Sequence, residues 1–234
     1  MARKEDQAGG GPDSTVVLDV DGTLVDSTYH HALAWHRGLD HLGQTVPLWR
    51  IHHAIGLGGD RIIPHLLGGD FEKEHGDEAR ELWHRAYDRL VYSTSALPGA
   101  AELLQELERR GVTMVMATSG DRKYTEHALH VLQAGELIDD VVTSDDVPSS
   151  KPAPDMLEAA LESVGGSRAV VVGDSLWDVQ SARRAGLPMV AVLTGGISRQ
   201  ELLDEGACQV YDEPVDVLEA LDDVLALVPG AREG

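Results

Sequence analysis

Five short apolar runs punctuate this sequence, with amphipathic stretches between them. They are Thr15–Val20, Val112–Ala117, Val141–Thr143, Ala169–Val172 and Met189–Leu193. Each is too short for a helix, rich in β-branched residues and bounded by Gly, Asp or Pro, which is the pattern of a strand. The runs are continuous rather than alternating, so both faces of each strand are buried, as a parallel sheet requires. The stretches between them have helical spacing. Ala101, Leu104 and Leu107 share a face, and Gly111 follows as a stop. Pro154-Asp155 opens a second helix, with Leu157, Ala160, Leu161 and Val164 inward and Gly165 at its end. Ser181–Ala185 closes at Gly186. Strand alternating with helix predicts an α/β protein, a parallel sheet covered on both faces.

From about Ser27 to Ser95 the rhythm breaks and no strand is predicted. Leu39 with Leu42, Ile62 and Ile63 with Leu66 and Leu67, and Leu82 and Trp83 with Ala86, Tyr87 and Leu90 have helical spacing. This segment reads as a helical insert after the first strand, and Leu97-Pro98-Gly99 marks the return. The expected organisation is a polar, Gly-rich disordered tail at 1–13, a core made of 14–26 and 97–234, and a helical unit at 27–96. A chain of 234 residues suits one large domain with an insert. The single cysteine, Cys208, excludes a disulfide framework and a Cys-based zinc or iron–sulfur site. No apolar run approaches the ~20 residues that span a bilayer, and the polar start of the chain gives no secretory signal. A cytoplasmic protein is expected. The net charge of −21 argues against nucleic acid or an anionic membrane as partner. An anionic substrate therefore needs a local positive site. With only four lysines in the chain, a lysine in a special position stands out.

Four polar clusters follow four of the predicted strands. Asp19 and Asp21 flank Val20 at the end of the first, where alternate residues point to one side. Paired acids at a strand end serve metal ligation, nucleophilic attack or proton transfer, and Asp21-Gly22 is equally a turn signal. Thr118-Ser119-Gly120 follows the second run; hydroxyls and backbone N–H groups there suit a phosphate, or simply cap a helix. Lys151 is pinned before Pro152 and Pro154. Asp174 ends the fourth run, and Asp178 lies one helical turn later on the same side. In a parallel sheet all four clusters face one rim, which is where ligands bind in open α/β folds. Four carboxylates with one lysine and one hydroxyl call for a cation, and oxygen-only ligands suit Mg²⁺.

Asp19-Val-Asp21-Gly-Thr-Leu-Val-Asp26-Ser, Thr118-Ser119, Lys151-Pro-Ala-Pro and Gly173-Asp174-Ser-Leu-Trp-Asp178 resemble, in order, the four motifs of the haloacid dehalogenase superfamily. The resemblance spans about residues 15–211 and is nearest to phosphoglycolate phosphatase-like and β-phosphoglucomutase-like members. It implies a doubly wound, Rossmann-like parallel sheet with an inserted α-helical cap. It also implies a Mg²⁺-dependent hydrolase of a small phosphorylated metabolite. By the resemblance Asp19 is the nucleophile and Asp21 the general acid and base. Thr118 and Ser119, with Gly120, hold the phosphoryl group, and Lys151 holds the nucleophile. Asp19, Asp21 (through its carbonyl) and Asp174 bind the metal, with Asp178 in support. Dehalogenases of the superfamily lack the second aspartate, so halide release is not expected. A Schiff-base role for Lys73 is disfavoured by its charged neighbours Glu72 and Glu74. Tyr29-His-His31-Ala-Leu-Ala-Trp35 is similar to the mutase cap segment, which would let His31 couple closure to Asp21. Gly56, Gly58 and Gly59 stand where mutases carry a phosphate-gripping arginine, with Arg61 the nearest substitute. Hydrolase is therefore preferred over a phosphosugar mutase, and the intact set of Asp19, Asp21, Thr118, Lys151, Asp174 and Asp178 argues against a non-catalytic ligand-binding relative. The histidines of the insert, His52-His53 among them, form no closed zinc set.

Overall fold

A computed structural model describes residues 14–230. The expected tail at 1–13 and the last four residues lie outside the described residues. Strand β1 (Thr15–Leu18) is followed by α1 (Thr28–His41), α2 (Leu48–Ala54), α3 (Gly59–Leu67) and α4 (Gly69–Tyr87). Helix α5 (Ala100–Arg109) then leads to β2 (Thr113–Ala117), α6 (Arg122–Val131), β3 (Asp140–Val142) and α7 (Asp155–Ser163). The chain continues through β4 (Ala169–Gly173), α8 (Leu176–Ala185), β5 (Met189–Val192), α9 (Arg199–Glu205) and β6 (Gln209–Tyr211). Helices α10 (Pro214–Glu219) and α11 (Leu221–Leu225) follow.

The six strands form one sheet in the order β3-β2-β1-β4-β5-β6, every neighbouring pair parallel. Period-two alternation divides each strand between two cores. Val16, Leu18, Met114, Met116, Val170 and Val172 pack with Leu103, Leu104 and Leu107 of α5 and Val217 of α10. Val17, Val115, Ala117, Ala169 and Val171 pack with Met156, Leu157 and Ala160 of α7 and Val179 and Ala182 of α8. Each fully buried side chain of this kind contributes ~1.5–3 kcal/mol, so the doubly wound α/β architecture follows from the unbroken apolar runs. β1 stops at Leu18, two residues before the predicted end, because Val20 turns back into a tight bend: Leu24 and Val25 both donate to the Val20 carbonyl, at 2.9 and 3.0 Å. β6 was not anticipated. It is three residues long, sits at the sheet edge and begins with Gln209.

Residues 28–87 form four helices around an apolar cluster of their own, including Trp35, Leu39, Ile51, Ile62, Ile63, Ala79 and Trp83. α4 buries Gly76, Ala79, Trp83 and Tyr87, one stripe at helical spacing. Rings of Trp35 and Trp83 stack at 5.4 Å, and Trp83 stacks on Tyr87 at 5.3 Å. No helix among the described residues is long and apolar enough to cross a membrane.

Candidate active site

Chain order reverses at β1, which lies between β2 and β4, and this is the switch point where α/β sheets open a crevice. Ladder hydrogen bonds carry two side chains to its rim. The Asp19 N–H donates to the Val172 carbonyl (2.9 Å), and the Thr118 N–H to the Val142 carbonyl (3.0 Å). Asp174 follows the last residue of β4. Lys151, 2% exposed, comes in from the β3–α7 connection. Its ammonium donates to Asp19 Oδ1 and lies 2.7 Å from Asp178 Oδ1. Asp178 is fixed from its other oxygen, which accepts from the Ser175 N–H (3.1 Å) and hydroxyl (2.6 Å). That capping box at the start of α8 leaves Oδ1 free to face the lysine. Thr23 Oγ1 bridges Asp19 Oδ2 (3.3 Å) and Asp174 Oδ1 (3.0 Å). The bend that brings Thr23 there needs Gly22, whose φ is +81° and whose missing Cβ would run into Asp174 and Thr28.

Three buried carboxylates, Asp19, Asp174 and Asp178, bring oxygens within 4.8 Å of one another. One ammonium cannot neutralise three acids. Burial first, then its neighbours' charges, raises the Asp174 carboxyl well above the usual range. Burial likewise lifts Asp19 to about 7, although Lys151 opposes it. Lys151 is held protonated: burial works against its charge, and Asp178 and Asp19 outweigh burial. Surplus negative charge on oxygen-only donors in a closed site fits a small divalent cation.

Asp21 differs in its surroundings. Its Oδ1 accepts from the Ser27 hydroxyl (2.5 Å) and lies 2.9 Å from His31 Nε2. Burial opposes its ionisation, but His31, Ser27 and Lys151 together hold the carboxyl below the usual range. His31 itself is buried and stacks on Tyr87 at 4.0 Å. Asp19, Asp21, Thr118, Ser119 and Gly120 line one side of a cavity whose other side is built by the helical insert. His31, Trp35, Leu57, Arg80, Trp83 and His84 come from that side. The Thr118 hydroxyl accepts from the Gly120 N–H (3.0 Å), while Ser119 Oγ is buried with no hydrogen-bond partner among the described residues.

The haloacid dehalogenase-like hydrolase family model matches residues 14–186. The chain belongs to that family. A phosphoglycolate phosphatase of Nitrosospira multiformis is 34% identical over 95% of this chain and 94% of its own length. One from Pseudomonas savastanoi is 29% identical over 93% of this chain and 79% of its own. Among solved structures, a hydrolase from Pseudomonas syringae superposes with a TM-score of 0.86 at 36% identity, covering 90% of this chain and 99% of its own. A β-phosphoglucomutase from Clostridium difficile has a TM-score of 0.78 at 17% identity, covering 91% and 96%, a likeness of fold. As a haloacid dehalogenase-like hydrolase the chain is an enzyme, and of the phosphatase type.

Within this hydrolase the structure brings Asp19, Asp21, Thr118, Ser119, Gly120 and His31 to one cavity, with Lys151, Asp174 and Asp178 grouped around Asp19. Asp21 turns its carboxylate to His31 and Ser27, and Asp178 joins Asp19 and Asp174 in the acidic group. One residue stands differently from the sequence reading. Arg61 is half-exposed, pairs with Asp60 at 3.2 Å and is not among the residues lining the cavity. Arg80 and His84 of α4 are. Thr23, Ser27, Arg80, Trp83 and His84 were missed as site residues. For Thr23 and Ser27 the signal was available, since both lie within a few residues of the paired acids. Arg122 and Lys123 are surface charges, paired with Asp146 (2.8 Å) and Asp88 (2.6 Å). Trp177 packs: its Nε1 donates to the His53 carbonyl at 3.2 Å.

Proposed function

We propose that this hydrolase is a Mg²⁺-dependent phosphomonoester phosphatase of the cytoplasm, acting on a small phosphorylated metabolite through an aspartyl-phosphate. Residues 14–26 and 97–234 are its core, and 27–96 its helical cap. One observation carries the reading: the Asp19 carboxylate, gripped by buried Lys151, borders the same cavity as Asp21 and Thr118. Asp19 attacks phosphorus, and the bond from phosphorus to the leaving oxygen breaks. Asp21 passes a proton to that oxygen. Because its neighbours hold Asp21 ionised, the proton arrives with the phosphomonoester or along the His31 contact. Asp21 then takes a proton from the water that cleaves the aspartyl-phosphate, which restores Asp19 and releases phosphate. Thr118 and Ser119 orient the phosphoryl oxygens. Asp19, Asp174 and Asp178, or the Asp21 carbonyl, would hold Mg²⁺, which supplies charge neutralisation between nucleophile and phosphate when bound.

A mutase must hold a second phosphate. Arg80 borders the cavity, but Glu72 (2.9 Å), Asp77 (2.8 Å) and the Gly59 carbonyl (3.0 Å) already engage its guanidinium. That favours the hydrolase. A panel of phosphorylated acids, sugars and nucleotides, with phosphoglycolate first because the relatives' names point to it, tests the reading. Release of phosphate from at least one of them is expected, abolished by EDTA and restored by Mg²⁺ but poorly by Ca²⁺, whose coordination is looser. Full turnover in demetallated enzyme overturns the metal assignment. No turnover on any member, with or without Mg²⁺, favours the non-catalytic alternative.

Asp21→Asn should separate the two half-reactions. p-Nitrophenolate leaves without a proton, so this variant should give a burst of about one equivalent of nitrophenol and then a slow steady rate, because the attacking water lacks its base. Rapid-quench kinetics with phosphate counted separately checks it. Nitrophenol and phosphate released in step at the wild-type rate remove Asp21 from the acid–base role.

A further inference from the structure

The connection between α2 and α3 and the start of α3 touch the opposite unit next to its lysine. Ser150, 3% exposed, donates its hydroxyl to Asp60 Oδ1 at 2.5 Å. The other Asp60 oxygen pairs with Arg61 Nε at 3.2 Å, and Arg61 Nη2 donates to Ser149 Oγ at 3.3 Å. Two consecutive residues of α3 therefore grip two consecutive residues of the loop whose next member is Lys151. The approach is close enough to require glycine at 58, where a Cβ would meet Ser150 Oγ at 2.5 Å and Asp60 Oδ1 at 2.7 Å. From behind, Arg80 donates to the Gly59 carbonyl at 3.0 Å and is itself held by Glu72. Ile55, Gly56 and Leu57 of the same connection, with Gly59 at the start of α3, line the cavity.

We propose that Asp60 and Arg61 are positioning residues: their bracket on Ser149-Ser150 ties the seating of the helical insert over the cavity to the placement of the Lys151 ammonium on Asp19. Resting on the phosphatase reading above, this gives Arg61 a role at the loop of the lysine instead of at the substrate. A lysine that spans two carboxylates is sensitive to small shifts of its backbone, and misplacement at such a group lowers rate more than binding. The contact is a hydrogen bond to a charged acceptor beside a buried residue, the stronger kind.

Asp60→Ala, Asp60→Asn, Ser150→Ala and the Asp60→Ala/Ser150→Ala double variant are compared on p-nitrophenyl phosphate and 2-phosphoglycolate, with rates normalised to the folded fraction by circular dichroism. Asp60→Ala and Ser150→Ala should each lower kcat about tenfold on any substrate the wild type turns over, with KM changed less than about threefold. Asp60→Asn keeps an acceptor oxygen and should recover most of the rate. The double variant should be no slower than either single, because both remove one contact. Losses that multiply, losses confined to KM, an Asp60→Asn as slow as Asp60→Ala, or singles within twofold of wild type (about 0.4 kcal/mol) overturn the proposal while leaving the phosphatase reading intact. A wild type inactive on both substrates and on the full panel overturns both.

Discussion

Asp19→Asn should abolish turnover, by at least about a thousandfold, while the fold survives. The rate falls because an amide is a poor nucleophile and a weak partner for a cation. Survival of the fold follows from the electrostatics of the site. Burial lifts the Asp19 carboxyl to about 7, so its ionised form is disfavoured in the folded chain relative to the unfolded one. As pH rises above the unfolded value of 3.8, this group subtracts stability, and the loss is complete only above the folded value. The neutral asparagine carries no such penalty, and Lys151 keeps Asp178 as its partner. Near neutral pH the variant's Tm, without added metal, should be equal to or higher than wild type. Steady-state rates and calorimetry check both parts. Turnover within tenfold of wild type removes Asp19 from the nucleophile role, and a large fall in Tm contradicts the electrostatic account.

Lys151→Met should damage rate and stability together. The side chain is 2% exposed and is the cation placed among three buried carboxylates. Removing one partner of a buried ion pair typically costs about 3–5 kcal/mol, because the remaining charges are left uncompensated. Asp19 and Asp174 are already pushed towards their neutral forms, and without the ammonium they move further the same way. The variant's folded state then binds protons that the unfolded state releases, so its stability rises as pH falls through the mildly acid range. Urea unfolding across pH should give the largest deficit against wild type on the alkaline side and a smaller one on the acid side. A deficit independent of pH would mean the loss is one of packing.

Legibility in the sequence follows from where each residue's position is decided. Residues at strand ends are positioned by the strand itself. Once Thr15–Val20, Val112–Ala117 and Ala169–Val172 read as parallel strands, Asp19, Thr118 and Asp174 had to share a rim: Asp19 and Thr118 line the cavity, and Thr23 bridges Asp19 to Asp174. Lys151 was legible by scarcity and by its prolines. β6 was not, since Gln209–Tyr211 at a sheet edge is too short to form a pattern. On the helices the limit is of another kind. Periodicity sets Trp83 and Tyr87 on the inward face of α4 but cannot say which inward residue meets the cavity. Arg61 and Arg80 are both arginines of the insert, and the packing of α3 against α4 decides that Arg80 lines the cavity. The turn after β1 gave a similar difficulty. Asp19 and Asp21 were expected to converge as alternate residues of one strand, yet the strand ends at Leu18 and a bend around Gly22 and Thr23 brings both carboxylates to the cavity.

Covalent capture of the phosphoryl group tests the central claim most directly. Asp21→Asn enzyme is mixed with p-nitrophenyl phosphate and Mg²⁺, quenched in acid at successive times, digested and mapped by mass spectrometry, with Asp19→Asn as control. The account predicts a phosphoryl adduct on Asp19 that appears with the nitrophenol burst, is discharged by hydroxylamine as an acyl phosphate should be, and is absent from the control. Turnover with no adduct at any quench time, or an adduct on another residue, would contradict it.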